Sequence, residues 1–121
     1  MELIYEKEST DARGKILFLS YGQKRINIVE IKKGFSRGGH YHDFDTIHYI
    51  LSGTIEYREK DIMTAKEQVR TVTAPDIIRI PAMAAHLLTA IDDTIFAEEM
   101  SQNYTATEYP EYRKIVTEKM T

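Results

Sequence analysis

An all-β sandwich or barrel is the fold class this sequence predicts, and three observations carry it. Short runs rich in Ile, Val, Leu, Tyr and Phe recur at close spacing up to about residue 100. Several of them alternate apolar with polar residues, the period of a strand with one buried face. Glycine, proline and aspartate punctuate them, and no long helical period separates them as a βαβ fold would need. At 121 residues the chain reads as one domain, 1–121, with a core barrel over about 15–100 and a helix over about 108–120.

The elements follow in order. Met1 to Glu6 reads as a short first strand and Ser9 to Gly14 as a loop. Lys15 to Tyr21 is an apolar run of strand length, ended by Gly22-Gln23-Lys24. Arg25 to Lys32 starts in strict alternation, with Ile26 and Ile28 on one face and Ile31 on the other, so a bulge or burial on both sides is expected. Thr54 to Glu59 and Glu67 to Thr73 make a hairpin pair around a loop at 60–66. Asp76 to Ile80 is a strand stopped by Pro81, whose missing N–H suits a strand end. His86 to Ile91 and Thr94 to Met100 are the last strands, turned at Asp92-Asp93. In the tail, Pro110 stands where a helix tolerates it, and Tyr109, Tyr112, Val116 and Met120 recur at helical spacing. That stripe predicts a C-terminal helix packed on the barrel or on a partner subunit.

Composition narrows the chemistry. An apolar fraction of 42% and a charged fraction of 29% are those of an ordinary globular chain. With no cysteine, disulfides, thiolate metal sites and a cysteine nucleophile are excluded, and any metal must be held by nitrogen and oxygen. A net charge of −3 gives no reason to expect nucleic acid. No apolar run is long enough to span a membrane, and the first residues lack the pattern of a signal peptide, so a cytoplasmic protein is expected.

The four histidines fall in two patches: His40, His42 and His48 between Gly34 and Gly53, and His86 in I-P-A-M-A-A-H. Residues two apart on a strand share a face, so His40 and His42 lie about 7 Å apart along it. Strand twist lets them converge on one ion, and His86 is the natural third ligand for a first-row transition metal. Thr46, His48 and Ile50 share a face of the next strand, which makes His48 a fourth ligand or a base beside the metal. Arg37 is either a solvated loop arginine or a clamp for an anionic group. Arg79 reads as solvent-facing. Tyr41, Tyr49 and Tyr57 line the mouth or pack on the outer face, and Met63 and Met83 read as gap-filling residues.

These two segments resemble the two motifs of the cupins, G-x5-H-x-H-x3-E-x6-G and G-x5-P-x-G-x2-H-x3-N. Gly34, His40, His42 and Gly53 match the first, and Pro81 and His86 the second. Thr46 stands at the usual glutamate ligand, Pro75 and Met83 replace glycines, and Ala90 replaces the closing asparagine. The resemblance implies a double-stranded antiparallel β-helix, or jelly-roll barrel. It also implies a divalent transition metal (zinc, iron, nickel, manganese or copper) held by His40, His42 and His86, with Thr46 or His48 near the fourth position. The R-G-G-H-Y-H run is similar to the R-G-x-H-x-H start of cupins that isomerise or epimerise sugars and sugar nucleotides. That likeness implies a metal-dependent enzyme with His48 and Arg37 as catalytic groups and a small molecule in the barrel. The alternatives are an Fe(II)-dependent dioxygenase, since three-histidine cupins resemble such enzymes, and a non-catalytic ligand-binding cupin. Small cupins of this kind are often homodimers, here through the N-terminal strand and the C-terminal helix.

Overall fold

A computed structural model describes residues 1–101 and 105–121. Eleven strands and one helix are formed among them. The strands are β1 (Leu3–Asp11), β2 (Gly14–Tyr21), β3 (Lys24–Ile31), β4 (Ser36–Tyr41), β5 (Thr46–Ser52) and β6 (Thr54–Asp61). They continue with β7 (Glu67–Thr73), β8 (Asp76–Ile80), β9 (Ala84–Ala90), β10 (Thr94–Ser101) and β11 (Thr107–Glu108), and the helix is α1 (Pro110–Lys119). One sheet runs β1-β2-β3-β10-β5-β8 and the other β11-β4-β9-β6-β7, with every pairing antiparallel. Two antiparallel sheets facing each other across one core are the jelly-roll architecture the sequence predicts.

Alternation builds the core. Val29 and Ile31 from β3, Ile50 from β5, Ile55 and Tyr57 from β6, Ile78 and Ile80 from β8, Leu88 from β9 and Phe96 from β10 are all at most 3% exposed and form one cluster. Each such side chain gives roughly 1.5–3 kcal/mol on burial, which outweighs the weak register preference of any single strand pair. In β3 the inward residues are Asn27, Val29 and Ile31, while Ile26 and Ile28 are half-buried on the other face. Burial on both sides is thus correct for this strand, and its pairing with β2 and β10 is continuous, with no bulge.

Some expectations need correction. β1 runs on to Asp11, so Ser9 to Asp11 is strand and only Ala12 and Arg13 turn. The hydrogen-bond ladder to β2 overrides the polar composition there, because a hairpin partner supplies what local propensity does not. Met63 is 76% exposed at the tip of the β6–β7 turn and fills no gap. The tail helix starts at Pro110, because Thr107 and Glu108 first pair with Tyr41 and His40 as a short strand. α1 packs on its own barrel: Tyr112 and Val116 are fully buried against Ala85 and Leu87 of β9. Met120, the last residue of the predicted stripe, is 36% exposed. No helix among the described residues is long and apolar enough to cross a membrane.

Candidate metal centre and cavity

β4 and β9 bring the first and second motifs together. His40 and His86 are direct partners across the two strands. His42 lies just beyond β4, and a hydrogen bond of 2.7 Å from the Met83 N–H to its carbonyl ties it to the start of β9. The three imidazoles offer ligand nitrogens that all lie within 4.8 Å of one another. Nitrogens around one ion at bonds of about 2.1 Å stand about 3.4 Å apart, so a bound ion would draw these rings slightly closer.

The rings are oriented as ligands. Nδ1–H of His42 donates to the Thr105 carbonyl at 2.8 Å, and Nδ1–H of His86 donates to the Ala84 carbonyl at 3.1 Å. A carbonyl only accepts, so each bond sets the tautomer and leaves Nε2 with its lone pair. Burial pushes the His40 pKa down to about 4, helped by the neighbouring charge of His42, and holds His86 well below the usual histidine range. Near neutral pH these rings therefore carry the neutral imidazole that metals bind. Thr46 sits buried on the inward face of β5, and its hydroxyl has no hydrogen-bond partner among the described residues. A donor set of three imidazoles with one unpartnered hydroxyl at the usual carboxylate position fits a divalent transition metal with open positions.

A bulge sets which residues share the cavity. Arg37 and His40 are three apart, and on a regular strand they would face opposite ways. The β4–β9 register shifts between Gly38 and His40, and Gly38 and Gly39 have φ of 110° and 83°. The extra residue turns both side chains into the barrel. Only glycine fits here. A Cβ at Gly38 would stand 2.6 Å from the His86 carbonyl oxygen, and one at Gly39 would stand 2.8 Å from the Arg113 backbone.

The cavity holds about 220 Å³ and is lined by His40, His48 and His86, by Glu98, and by Arg13, Arg37 and Arg113. Val29, Leu88 and Phe96 form its apolar floor. His48 lies outside the three-histidine cluster, with its ring 5.9 Å from that of His86. It stacks on Phe96 at 5.0 Å and places Nε2 3.4 Å from Glu98 Oε2. Burial lowers its pKa while the Glu98 carboxylate opposes that shift. The other carboxylate oxygen of Glu98 accepts from Asn27 Nδ2 at 3.0 Å.

Arg37 is not a loop arginine. It is 7% exposed, with Nε donating to the Glu30 carbonyl at 2.9 Å and Nη2 to the Gly14 carbonyl at 3.2 Å. Burial and the charge of Arg13 pull its pKa down to about 10, which still leaves it cationic near neutral pH. Arg79 is exposed, as expected, and Tyr57 is buried in the core with its hydroxyl on Glu59 at 2.6 Å. Tyr41 packs under α1, and Tyr49 is half-buried on the outer face of β5. Glu98, Arg13 and Arg113 escaped the sequence reading. Glu98 had a signal, a carboxylate sharing a strand face with Phe96 and Met100. Arg13 and Arg113 had none, because a turn and a helix bring them to the mouth.

No family model and no curated protein sequence matches this chain. Solved structures do. Oxalate decarboxylase of Bacillus subtilis, a protein with Mn(II) centres, superposes with a TM-score of 0.75 at 14% identity over 88% of this chain and 31% of that one. A formate complex of Lactobacillus farciminis oxalate decarboxylase gives 0.73 at 20% identity, over 88% of this chain and 34% of that one. CapF, solved with an inhibitor, gives 0.67 at 16% identity, over 81% of this chain and 30% of that one. This chain thus spans about a third of the length of the structures it matches. Their likeness, added to the two facing sheets and to histidines standing at both motif positions, establishes that this chain has the cupin fold.

Proposed function

We propose that this protein is a metal-dependent small-molecule enzyme of the isomerase or epimerase kind, acting on a sugar-like substrate with a carbonyl group. The observation that carries the reading is the His48–Glu98 pair, 3.4 Å apart in the cavity that His40 and His86 also line. His40, His42 and His86 would hold the metal, which when bound supplies a Lewis acid for a carbonyl or hydroxyl oxygen. The chain's own groups then handle the proton. A C–H bond beside the carbonyl breaks, its electron pair moves toward the carbonyl oxygen, and the proton is held between Glu98 Oε2 and His48 Nε2. Asn27 keeps the carboxylate turned toward His48. Return of the proton to the carbonyl carbon, with the neighbouring hydroxyl proton passing to the former carbonyl oxygen, completes an isomerisation, and an epimerisation takes its new proton from water on the opposite face. The apolar floor limits water around that proton.

The test is deuterium wash-in. Metal-loaded protein and its His48→Ala variant are incubated in D2O with a panel of reducing sugars and sugar phosphates, and the proton next to the carbonyl is followed by NMR. Wash-in is expected with the native chain and a drop of about 10²–10⁴-fold in the variant, the usual contribution of a general base. Equal exchange in both proteins, or none in the native one, refutes the assignment.

A second reading rests on one observation. The metal-binding cluster is all imidazole, with Thr46 where a carboxylate would sit. Three neutral ligands with open positions also suit an Fe(II) dioxygenase. Substrate-dependent oxygen uptake by the iron-loaded protein would move that reading ahead. The Mn(II) centres of the Bacillus subtilis neighbour make manganese the next metal to load.

A further inference from the structure

A buried cation in this cavity makes no ion pair with a carboxylate among the described residues, although Asp11, Glu98 and Glu30 lie near enough to favour its charge. Arg37 is 7% exposed, and its hydrogen bonds among the described residues go to the carbonyls of Glu30 and Gly14 and not to a carboxylate. At the rim, Arg113 of α1 spends Nη1 on the Gly38 carbonyl, 3.2 Å away, and likewise has no carboxylate partner among the described residues. Arg13 differs, because it is ion-paired with Asp11 at 2.6 Å. The cavity lining therefore sets two guanidinium groups that form no ion pair among the described residues against one carboxylate, Glu98, beside three histidines that could hold a divalent cation. Holding a desolvated charge without a counter-charge is costly, and the cost falls when an anion occupies the space it faces.

We infer that the cavity takes a compact organic carboxylate, with its acid group on Arg37 and Arg113 and an oxygen of its other end toward the three-histidine cluster. Size and the planar geometry of the arginines select this class. A cavity of about 220 Å³ is smaller than the roughly 300–1,000 Å³ of pockets that enclose drug-sized ligands. The ligand is thus a molecule of a few carbons, and a nucleotide would have to stay outside. Arg37 has already committed Nε and Nη2 to the backbone. Its remaining N–H groups, with those of Arg113, form planar forks that match a carboxylate. The bulge at Gly38 and Gly39 is what makes this possible, since it brings the clamp and the metal-bearing histidine to the same side. The inference rests on the proposed function for the placing of the metal and deepens it by naming the substrate as an acid.

Calorimetric titration tests it without turnover. Metal-loaded native protein and the Arg37→Gln, Arg113→Gln and Arg79→Gln variants are titrated with glycolate, malonate, inorganic phosphate and the neutral malonamide. Glycolate or malonate is expected to bind the native chain and the Arg79→Gln control, whose arginine is exposed on β8 outside the cavity, alike, with malonamide not binding. Arg37→Gln and Arg113→Gln are each expected to weaken binding at least tenfold while the metal content stays unchanged. Arg113 lies at the rim, so its variant keeps the test alive if Arg37→Gln does not fold. Malonamide binding as well as malonate, undiminished binding by Arg113→Gln, or no carboxylate binding by the native chain overturns the inference. Tighter binding of phosphate than of either carboxylate overturns the choice of acid. Carboxylate binding with no deuterium wash-in leaves the clamp standing and sinks only the isomerase reading.

Discussion

Replacing Gly39 by alanine tests the bulge that organises the cavity. Gly39 has φ of 83°, and an added Cβ would stand 2.8 Å from both Cα and N of Arg113. Two costs follow. The left-handed backbone with a side chain costs about 1–2 kcal/mol. The contact is about 0.7 Å or more inside normal carbon separation, so α1 must shift, and overpacking of this sort costs about 1–3 kcal/mol. Alanine returns about 0.4–1 kcal/mol by restricting the unfolded chain. The net loss is roughly 1–5 kcal/mol by these increments. Gly34→Ala is the internal control. Its φ is 89°, yet nothing lies within 4 Å of the added Cβ, so it carries the backbone cost alone. Urea unfolding of both variants without metal gives the difference that belongs to the helix contact. Metal affinity should fall in Gly39→Ala, because His40 follows directly, and should hold in Gly34→Ala. Equal destabilisation of the two variants would refute the claim that α1 clamps the bulge.

Three further outcomes are expected. Metal analysis of untagged protein should find a divalent metal in the native chain and little in His42→Ala, since His42 is one of the three clustered ligands; retention of the full metal content by the variant would refute the cluster. Acid should destabilise the metal-free protein. Burial lowers the folded-state pKa of His40 to about 4 and also lowers those of His48 and His86, so the unfolded chain binds more protons below about pH 6.5. Their contribution is whole above that pH and fades as pH falls toward 4, by about 3 kcal/mol at most for His40; an unfolding midpoint that stays flat between pH 7 and pH 5 would contradict this. A homodimer is proposed through β1. The first eight residues of this strand are exposed and one of its edges is unpaired, an arrangement that a second copy of the chain would cover. Sedimentation should show twice the chain mass for the native protein and a monomer after deletion of residues 1–6, and a native monomer at about 100 μM, well above the micromolar range of a specific complex, would count against it.

What could be read in advance was whatever depends on period. The strands from Lys15 to Met100, the inward set Thr46, His48 and Ile50, and the common side of His40 and His42 follow from residues two apart sharing a face, and His86 joins them from β9 as the cross-strand partner of His40. What could not be read was whatever breaks that period or crosses the chain. Alternation alone turns Arg37 away from His40, and the Gly-Gly pair between them is the local mark of the bulge that reverses it. Arg13 and Arg113 reach the cavity from a turn and a helix, whose placement depends on the finished barrel.

Met83 shows how a departure from the motif can keep the geometry. It occupies a position where the cupin pattern has glycine, which suggests a lost turn. In the folded chain Met83 nevertheless holds φ of 66°, the conformation glycine would take at no cost. That conformation aims its N–H at the His42 carbonyl, 2.7 Å away, and so joins the two motifs at a metal-binding residue. The strain of about 1–2 kcal/mol persists because the β9 strand that follows, with Ala84 to Leu88 all buried, leaves the turn no other path. The motif glycine is therefore a preference for a backbone shape, and this sequence keeps the shape after losing the residue.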